Sequence, residues 1–400
     1  PQSYDSAKTR GISLTVFIGT KQASSSSEDF SEKALKTLAE ETTEMARFTP
    51  ENRDAFLAEP GQFITDAEAR AKALDLTDDK AQPLTVKDLQ DMAYTLENSA
   101  LEVEGATRCS TVEVKTNAGR VTILTSEGFE ASVPSTSYIV FLSVLAGEGA
   151  EQNSESDASV RRHFSDLPDL AELGRETAEK AVRKVGARAI KSGRMPVLFD
   201  KDVTAELLEM FASAISGMAV DKGTTFLKDA MNEKVFAENV TIVDDPTIPR
   251  ALGSDPCDSD GIASDPLTLV EGGVLQTWLL SLASARRLNL PANGRADGTT
   301  NLYMQPGSTS REALIKSMGN GLLVTGMIGH ASNLTTGDFS RGAEGFLIED
   351  GRITQPVSEI TIASNLKDMF LNMTPADDLE MDMATNGPSV LVKEMTVAGL

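Results

Sequence analysis

Two histidines, His163 and His330, and two cysteines, Cys109 and Cys257, are the whole imidazole and thiol inventory of this 400-residue chain. A catalytic zinc site takes three protein ligands, often two His on one helix with a Glu base beside them. With one His in each of two distant segments, no helix here can hold a His pair. His163 follows Arg161-Arg162 at a loop-to-helix entry and is expected on the surface. His330 stands in Gly329-His-Ala-Ser and reads as structural or solvent-facing. Neither Cys has a His nearby in sequence, so a Cys–His nucleophile pair would have to form through the fold.

Other motifs are absent or incomplete. No Gly-Lys dipeptide supports a phosphate loop, and no Gly-x-Ser-x-Gly supports a nucleophile elbow. Gly319-Asn-Gly-Leu-Leu-Val324 has Val where a dinucleotide fingerprint needs its third Gly, and reads as a turn feeding a strand. The three Asp of Gly253-Ser-Asp-Pro-Cys-Asp-Ser-Asp-Gly261 resemble a calcium loop without the Glu at its twelfth position, so a turn-rich loop is expected. Gly337-Asp-Phe-Ser-Arg-Gly-Ala-Glu-Gly345 has two readings. Its glycines allow close backbone approach, so Asp338, Ser340, Arg341 and Glu344 are candidates for lining a substrate channel. Alternatively it is a tight connection before a strand, with Asp338 and Arg341 paired locally.

The elements that must position these residues follow from patterning. Residues 12–18 alternate as a strand, and Lys21–Ser27 returns as a polar edge strand. Ser31 is a helix cap for an apolar face of Leu35, Leu38, Thr42, Met45 and Ala46, which Pro50 stops. Pro50, Pro60 and Pro83 mark a linker with short helices. Thr85 caps a second helix. A β-meander is expected over 110–115, 120–125, 129–133 and 137–145, with turns at Asn117, Gly119 and Gly128. Residues 147–160 read as a loop, and 170–185 as a helix. Beyond Gly193, the best boundary, come a strand at 195–199, one helix over 203–219 and a strand at 240–243. Hairpins turn at Glu271-Gly-Gly273 and Asp350-Gly351, a short helix spans 365–373, and a late strand spans 389–392. The result is a multi-domain α+β protein. Its segments are a small N-terminal α/β unit with linker (1–84), a middle helix and antiparallel meander (85–193) and a larger mixed α+β domain rich in hairpins (194–400).

Composition narrows the function. Lys plus Arg total 37 against 60 Asp plus Glu, a net charge of −23. Such a surface repels phosphates and offers no footprint for nucleic acid. The longest apolar run, Tyr138–Ala146, is far short of the roughly 20 residues that span a bilayer, so no membrane partner is expected. No signal peptide is visible and two Cys make no disulfide framework, so the cytoplasm is the default. The start at Pro1 suggests a trimmed N-terminus.

An ordered set of segments resembles the TldD/PmbA family, also labelled modulator of DNA gyrase, and within it the PmbA/TldE subgroup. They are Gly193-Arg-Met-Pro-Val-Leu-Phe199, 253–261, Val270-Glu-Gly-Gly-Val-Leu-Gln-Thr277, Ser284-Ala-Arg286, Gly337-Asp-Phe-Ser-Arg-Gly342, Pro356-Val-Ser-Glu-Ile360, Asn365-Leu-Lys-Asp-Met-Phe370 and Met395-Thr-Val-Ala-Gly399. The resemblance implies a two-subunit cytoplasmic peptidase that processes peptide precursors and degrades unfolded segments. TldD-like chains carry a His-Glu-x-x-x-His helix and a Cys ligand near the C-terminus. Here the helix aligns near Leu207–Ala214, which holds Glu209 but no His. The ligand should fall within 379–386, which holds no Cys.

The resemblance therefore implies a metal-free subunit without catalytic residues of its own. The zinc belongs to a TldD-like metallopeptidase partner, and unfolded or precursor peptides are the substrates. The isolated chain is expected to form a homodimer. Two alternatives stand beside this: a self-sufficient homodimeric metallopeptidase using His330, Cys257 and carboxylates, and a regulator that binds a DNA-linked enzyme.

Overall fold

The computed structural model describes residues 3–329 and 332–400. The chain divides into two compact units, residues 1–63 with 125–129, and residues 64–124 with 130–400.

In the first unit the strands Ile12–Ile18 and Lys21–Ser27 pair antiparallel, from Ile18↔Lys21 out to Ile12↔Ser27. Ser31 accepts a hydrogen bond from the Ala34 amide (3.3 Å) and starts the helix Glu32–Phe48. Leu38, Thr42 and Ala46, four residues apart, form its buried stripe. Met45, expected on that stripe, stays exposed. Phe63 stacks on Phe129 with ring centroids 4.8 Å apart.

The second unit begins with a helix–sheet layer. Thr85 and Asp88 close a capping box at the start of the helix Val86–Leu101. This helix and Leu170–Arg183 pack on an antiparallel sheet in the order Ala106–Leu124, Glu130–Ala146, Asn153–Arg161. Leu96, Ala100, Val140, Leu142, Val144, Leu173, Ala178 and Ala181 form its core. The helices cross closely at Gly174, where a Cβ would lie 2.5 Å from the Leu96 carbonyl oxygen.

Two expectations fail here. The meander is not four strands. One 19-residue strand runs through Asn117 and Gly119, paired in register with Ser137 and Ser135. Continuous ladder pairing overrides the local turn preference of Asn and Gly. Most of 147–160, expected as a loop, instead belongs to the outer strand of the sheet, Asn153–Arg161. Its alternating exposed positions face solvent, which is why the segment is polar.

The rest of the unit is built on a ring of strands. Gly193–Phe199 pairs parallel with Gly321–Ile328 and antiparallel with Val390–Ala398. Val390–Ala398 pairs with Arg352–Asn365, which pairs with Asp338–Glu349. Asp338–Glu349 then pairs back onto Gly321–Ile328 and closes the ring. Both faces are covered. Val197, Phe199, Leu322, Val324 and Val390 pack with the helix Lys201–Ala214, whereas Leu198, Leu323, Phe346 and Ile348 pack with the helix Arg311–Met318. A continuous apolar run such as Val197-Leu198-Phe199 is what two-sided burial requires.

A second sheet orders Thr385–Asn386, Leu302–Met304, Ile242–Asp244, Leu267–Glu271 and Val274–Leu275. Both expected hairpins form, at Gly272-Gly273 and at Asp350-Gly351, with positive φ at each central residue. The helix expected over 203–219 is two. Lys201–Ala214 ends, the Leu279 carbonyl takes the Gly217 amide (2.7 Å), and Ser216 caps Gly217–Lys222. The architecture is mixed α+β. No helix among the described residues is long and apolar enough to cross a membrane.

Candidate functional site

The segment Asp338–Glu344, expected as a loop, is part of the ring strand Asp338–Glu349. Strand alternation splits the four candidate residues. Asp338, Ser340 and Glu344 keep solvent access, while Phe339, Arg341 and Ala343 are buried. Asp338 accepts hydrogen bonds from Thr336 Oγ1 (2.7 Å) and Asn365 Nδ2 (3.2 Å). It does not pair with Arg341, contrary to the local reading. Glu344 accepts from Lys184 Nζ at 2.9 Å. Lys184 is itself buried and also ion-pairs with Glu155, so it ties the outer strand Asn153–Arg161 to the ring. The four residues therefore do not converge on one site.

Arg341 belongs to a different group. Its Nη2 donates to Glu206 Oε2 at 3.0 Å, and its buried Nε has no hydrogen-bond partner. Glu206 lies on the helix Lys201–Ala214. On that helix Val203, Leu207, Leu208, Phe211, Ala212 and Ala214 face the core, leaving Glu206, Glu209 and Ser213 on the more open side. Burial first, and the neighbouring Glu206 charge second, raise the Glu209 carboxyl above its ordinary value. On this open side Glu206, held by the buried Arg341, and Glu209 can accept the backbone N–H groups of a peptide. Glu206 escaped the sequence reading, although it stands one helical turn before Glu209.

The patch does not fit a zinc ion. Its donors are two carboxylates, one engaged by Arg341, with leucines beside them rather than imidazoles. Among the described residues no group of three or more His, Cys, Asp or Glu is placed to hold a metal. In 379–386, Glu380 pairs with Lys201 and Asp382 with Arg161.

The histidines and cysteines fall elsewhere. His163 is buried, not on the surface; its Nε2 lies 2.8 Å from the Asp75 carbonyl oxygen, with Asp75 and Asp78 carboxylates at 3.5 and 3.6 Å. Its sequence neighbours Arg161-Arg162 disguised that burial. His330 lies outside the described residues. Burial, then Asp255 and Asp258, push the buried Cys257 thiol up to about 12, which makes it a poor nucleophile. Half-burial also raises Cys109. The Asp-rich segment is a turn. Asp258 Oδ1 accepts from the Asp260 and Ile262 amides at 3.0 Å each, and Asp260 Oδ2 from the Leu282 amide at 3.1 Å.

One further feature was not foreseen. A cleft of about 580 Å³ opens between residues 223–235 and the helix Leu366–Leu371, with Phe226, Leu371 and three lysines in its lining.

Comparison with known proteins places this architecture. A family model described as the PmbA/TldA metallopeptidase C-terminal domain matches residues 192–399, and one described as the central domain matches residues 79–185. The chain is 32% identical over 392 residues to a metalloprotease PmbA homolog of Haemophilus influenzae, covering 97% of this chain and 85% of that one. The crystal structure of a candidate modulator of DNA gyrase from Bacteroides thetaiotaomicron superposes with a TM-score of 0.90 at 28% identity, over 98% of this chain and 88% of that one. TldE from Thermococcus kodakarensis shares the fold, with a TM-score of 0.79 at 19% identity, over 98% and 95% of the two chains. The chain belongs to the PmbA/TldD metallopeptidase family.

Proposed function

We propose that this chain is the metal-free, TldE-like subunit of a two-subunit cytoplasmic peptidase. It binds unfolded or precursor peptides and presents them to the zinc of a TldD-like partner. The observation that carries this reading is the open side of the helix Lys201–Ala214. Where a zinc peptidase needs imidazoles, it offers Glu206, Glu209 and Ser213, and Glu206 is taken by Arg341. Such a face can position a peptide but has no ligand set to activate water. In the absence of the partner, two copies associate through the surface that the partner would cover.

The test is cleavage of an unfolded peptide by this chain alone, by the metal-bearing partner alone, and by the mixture, with elemental analysis of the desalted chain. Cleavage only by the mixture, and no stoichiometric zinc on this chain, are expected. Arg341→Lys, which keeps a positive charge but loses the planar guanidinium that orients Glu206, should lower cleavage by the mixture several-fold while the mixed complex still assembles. Chelator-sensitive cleavage by the isolated chain, with about one zinc bound per chain, would overturn the reading in favour of a self-sufficient peptidase.

A further inference from the structure

In a chain with 60 acidic and 37 basic residues, a cleft with more lysines than acids stands out. The cleft beside the helix Leu366–Leu371 has a volume of about 580 Å³, in the range of ligand sites. Its lining carries Lys228, Lys234 and Lys367 against Asp229 and Glu233. Lys234 is engaged by Glu238 at 2.8 Å. Among the described residues Lys228 and Lys367 have no carboxylate partner. Lys367 Nζ instead lies 5.9 Å from the centre of the Phe226 ring.

The apolar part of the cleft is equally defined. Phe226 is half-buried against the main core, 6.3 Å from the Phe370 ring, and Leu371 is exposed. The walls are fixed by backbone bonds: the Phe226 amide to Leu334 (2.7 Å), Ala230 to Leu227 (2.9 Å) and Val235 to Gly273 (2.8 Å). The cleft is preformed, and a ligand need not order it.

We propose that this cleft binds a carboxylate flanked by an apolar side chain, as presented by a peptide. The carboxylate sits between Lys228 and Lys367, and the apolar group lies on Phe226 and Leu371. Asp229 and Glu233 accept backbone N–H groups, which a peptide has and a simple anion lacks. A polyanion is disfavoured by these two acids and by the net negative surface around them. The carboxylate comes from a chain terminus or from an internal Asp or Glu. The choice of a peptide ligand rests on the peptide-handling role proposed above. The site then holds substrate at a second point on the surface, distinct from the Glu206–Arg341 patch.

The test is fluorescence anisotropy on the isolated full chain, without partner or cleavage, so it fails independently of the two-subunit reading. Three short labelled peptides are compared: one ending in Leu with a free carboxylate, the same peptide amidated, and an amidated peptide with an internal Glu-Leu pair. Either carboxylate peptide should bind at least about fivefold tighter than the neutral amide, with the difference fading at high salt. Preference for the free terminus alone assigns the chain end as source; equal binding of the two assigns any carboxylate. The double variant Lys228→Glu, Lys367→Glu, at two exposed positions, should abolish the preference while its melting temperature stays unchanged. Equal binding of all three peptides, no binding of any, or a preference that survives the charge reversal would each overturn the proposal.

Discussion

The strands Gly193–Phe199 and Ala106–Leu124 are held by different physics. In the first, Val197, Leu198 and Phe199 are each fully buried, and neighbours cover both faces. In the second no residue is fully buried, and Val121 and Leu124 are two-thirds exposed. That long strand depends on its ladder with Glu130–Ala146 and on helices packed over one face near its start. Equal secondary structure thus hides unequal burial, and burial sets the cost of a substitution.

The largest effect should come from Phe199→Ala. Removing a fully buried ring is expected to cost about 3–5 kcal/mol, read from urea unfolding followed by the fluorescence of the buried Trp278, which lies in the same core. Val121→Ala at the exposed position should change stability by no more than about 0.5 kcal/mol. Comparable costs at the two sites would break the distinction.

A smaller effect is expected at Lys184, which joins the two regions through Glu155 and Glu344. Lys184→Met leaves two carboxylates facing each other and should cost about 2 kcal/mol near neutral pH. Burial already raises the Glu155 carboxyl, and the Lys184 charge opposes that shift. Without Lys184 the folded-state value rises further. A raised carboxyl contributes stability below its ordinary value and loses it as pH climbs through the folded value. The deficit of Lys184→Met should therefore grow from pH 5 to pH 8. Fluorescence and circular dichroism transitions should also separate as the helix–sheet layer uncouples from the ring. A deficit independent of pH would show that the lysine acts only through packing.

The smallest effect sharpens the comparison from the other side. At Gly119 a Cβ meets nothing within 4 Å and the backbone is not left-handed. Gly119→Ala should stabilise by up to about 1 kcal/mol, because the unfolded chain loses freedom while the strand accepts the methyl. A destabilised variant would mean that the turn first read at this glycine is sampled in solution.

The same contrast explains what could be read from sequence. The run Val197-Leu198-Phe199, the Asp350-Gly351 turn, and the Ser31 and Thr85 caps are local signals, and the structure keeps them. The long hairpin is not legible locally: its polar, β-branched strands carry Asn117 and Gly119, and only pairing with Ser137 and Ser135 keeps the chain from turning. The candidate site suffered from the same blindness. Arg341 was singled out with three neighbours in sequence, but its partner Glu206 lies 135 positions away on a helix. The burial of His163 against Asp75 and Asp78 is likewise a property of the fold, invisible beside Arg161-Arg162 in sequence. The lysine cleft has no sequence signature, since Lys228 and Lys367 line one cleft only when the helix Leu366–Leu371 docks.

The closed ring also has a consequence for synthesis. Its first strand, Gly193–Phe199, lies between Gly321–Ile328 and Val390–Ala398. The last of these is translated roughly 200 residues later, a wait of roughly 10–40 s at bacterial-scale ribosome speeds. At first neither edge of the strand has its partner, and once Gly321–Ile328 has been made the edge that Val390–Ala398 will take still stands open. A nascent chain arrested before residue 390 would expose that edge to whatever holds unfinished proteins, and synthesis of Val390–Ala398 would conceal it.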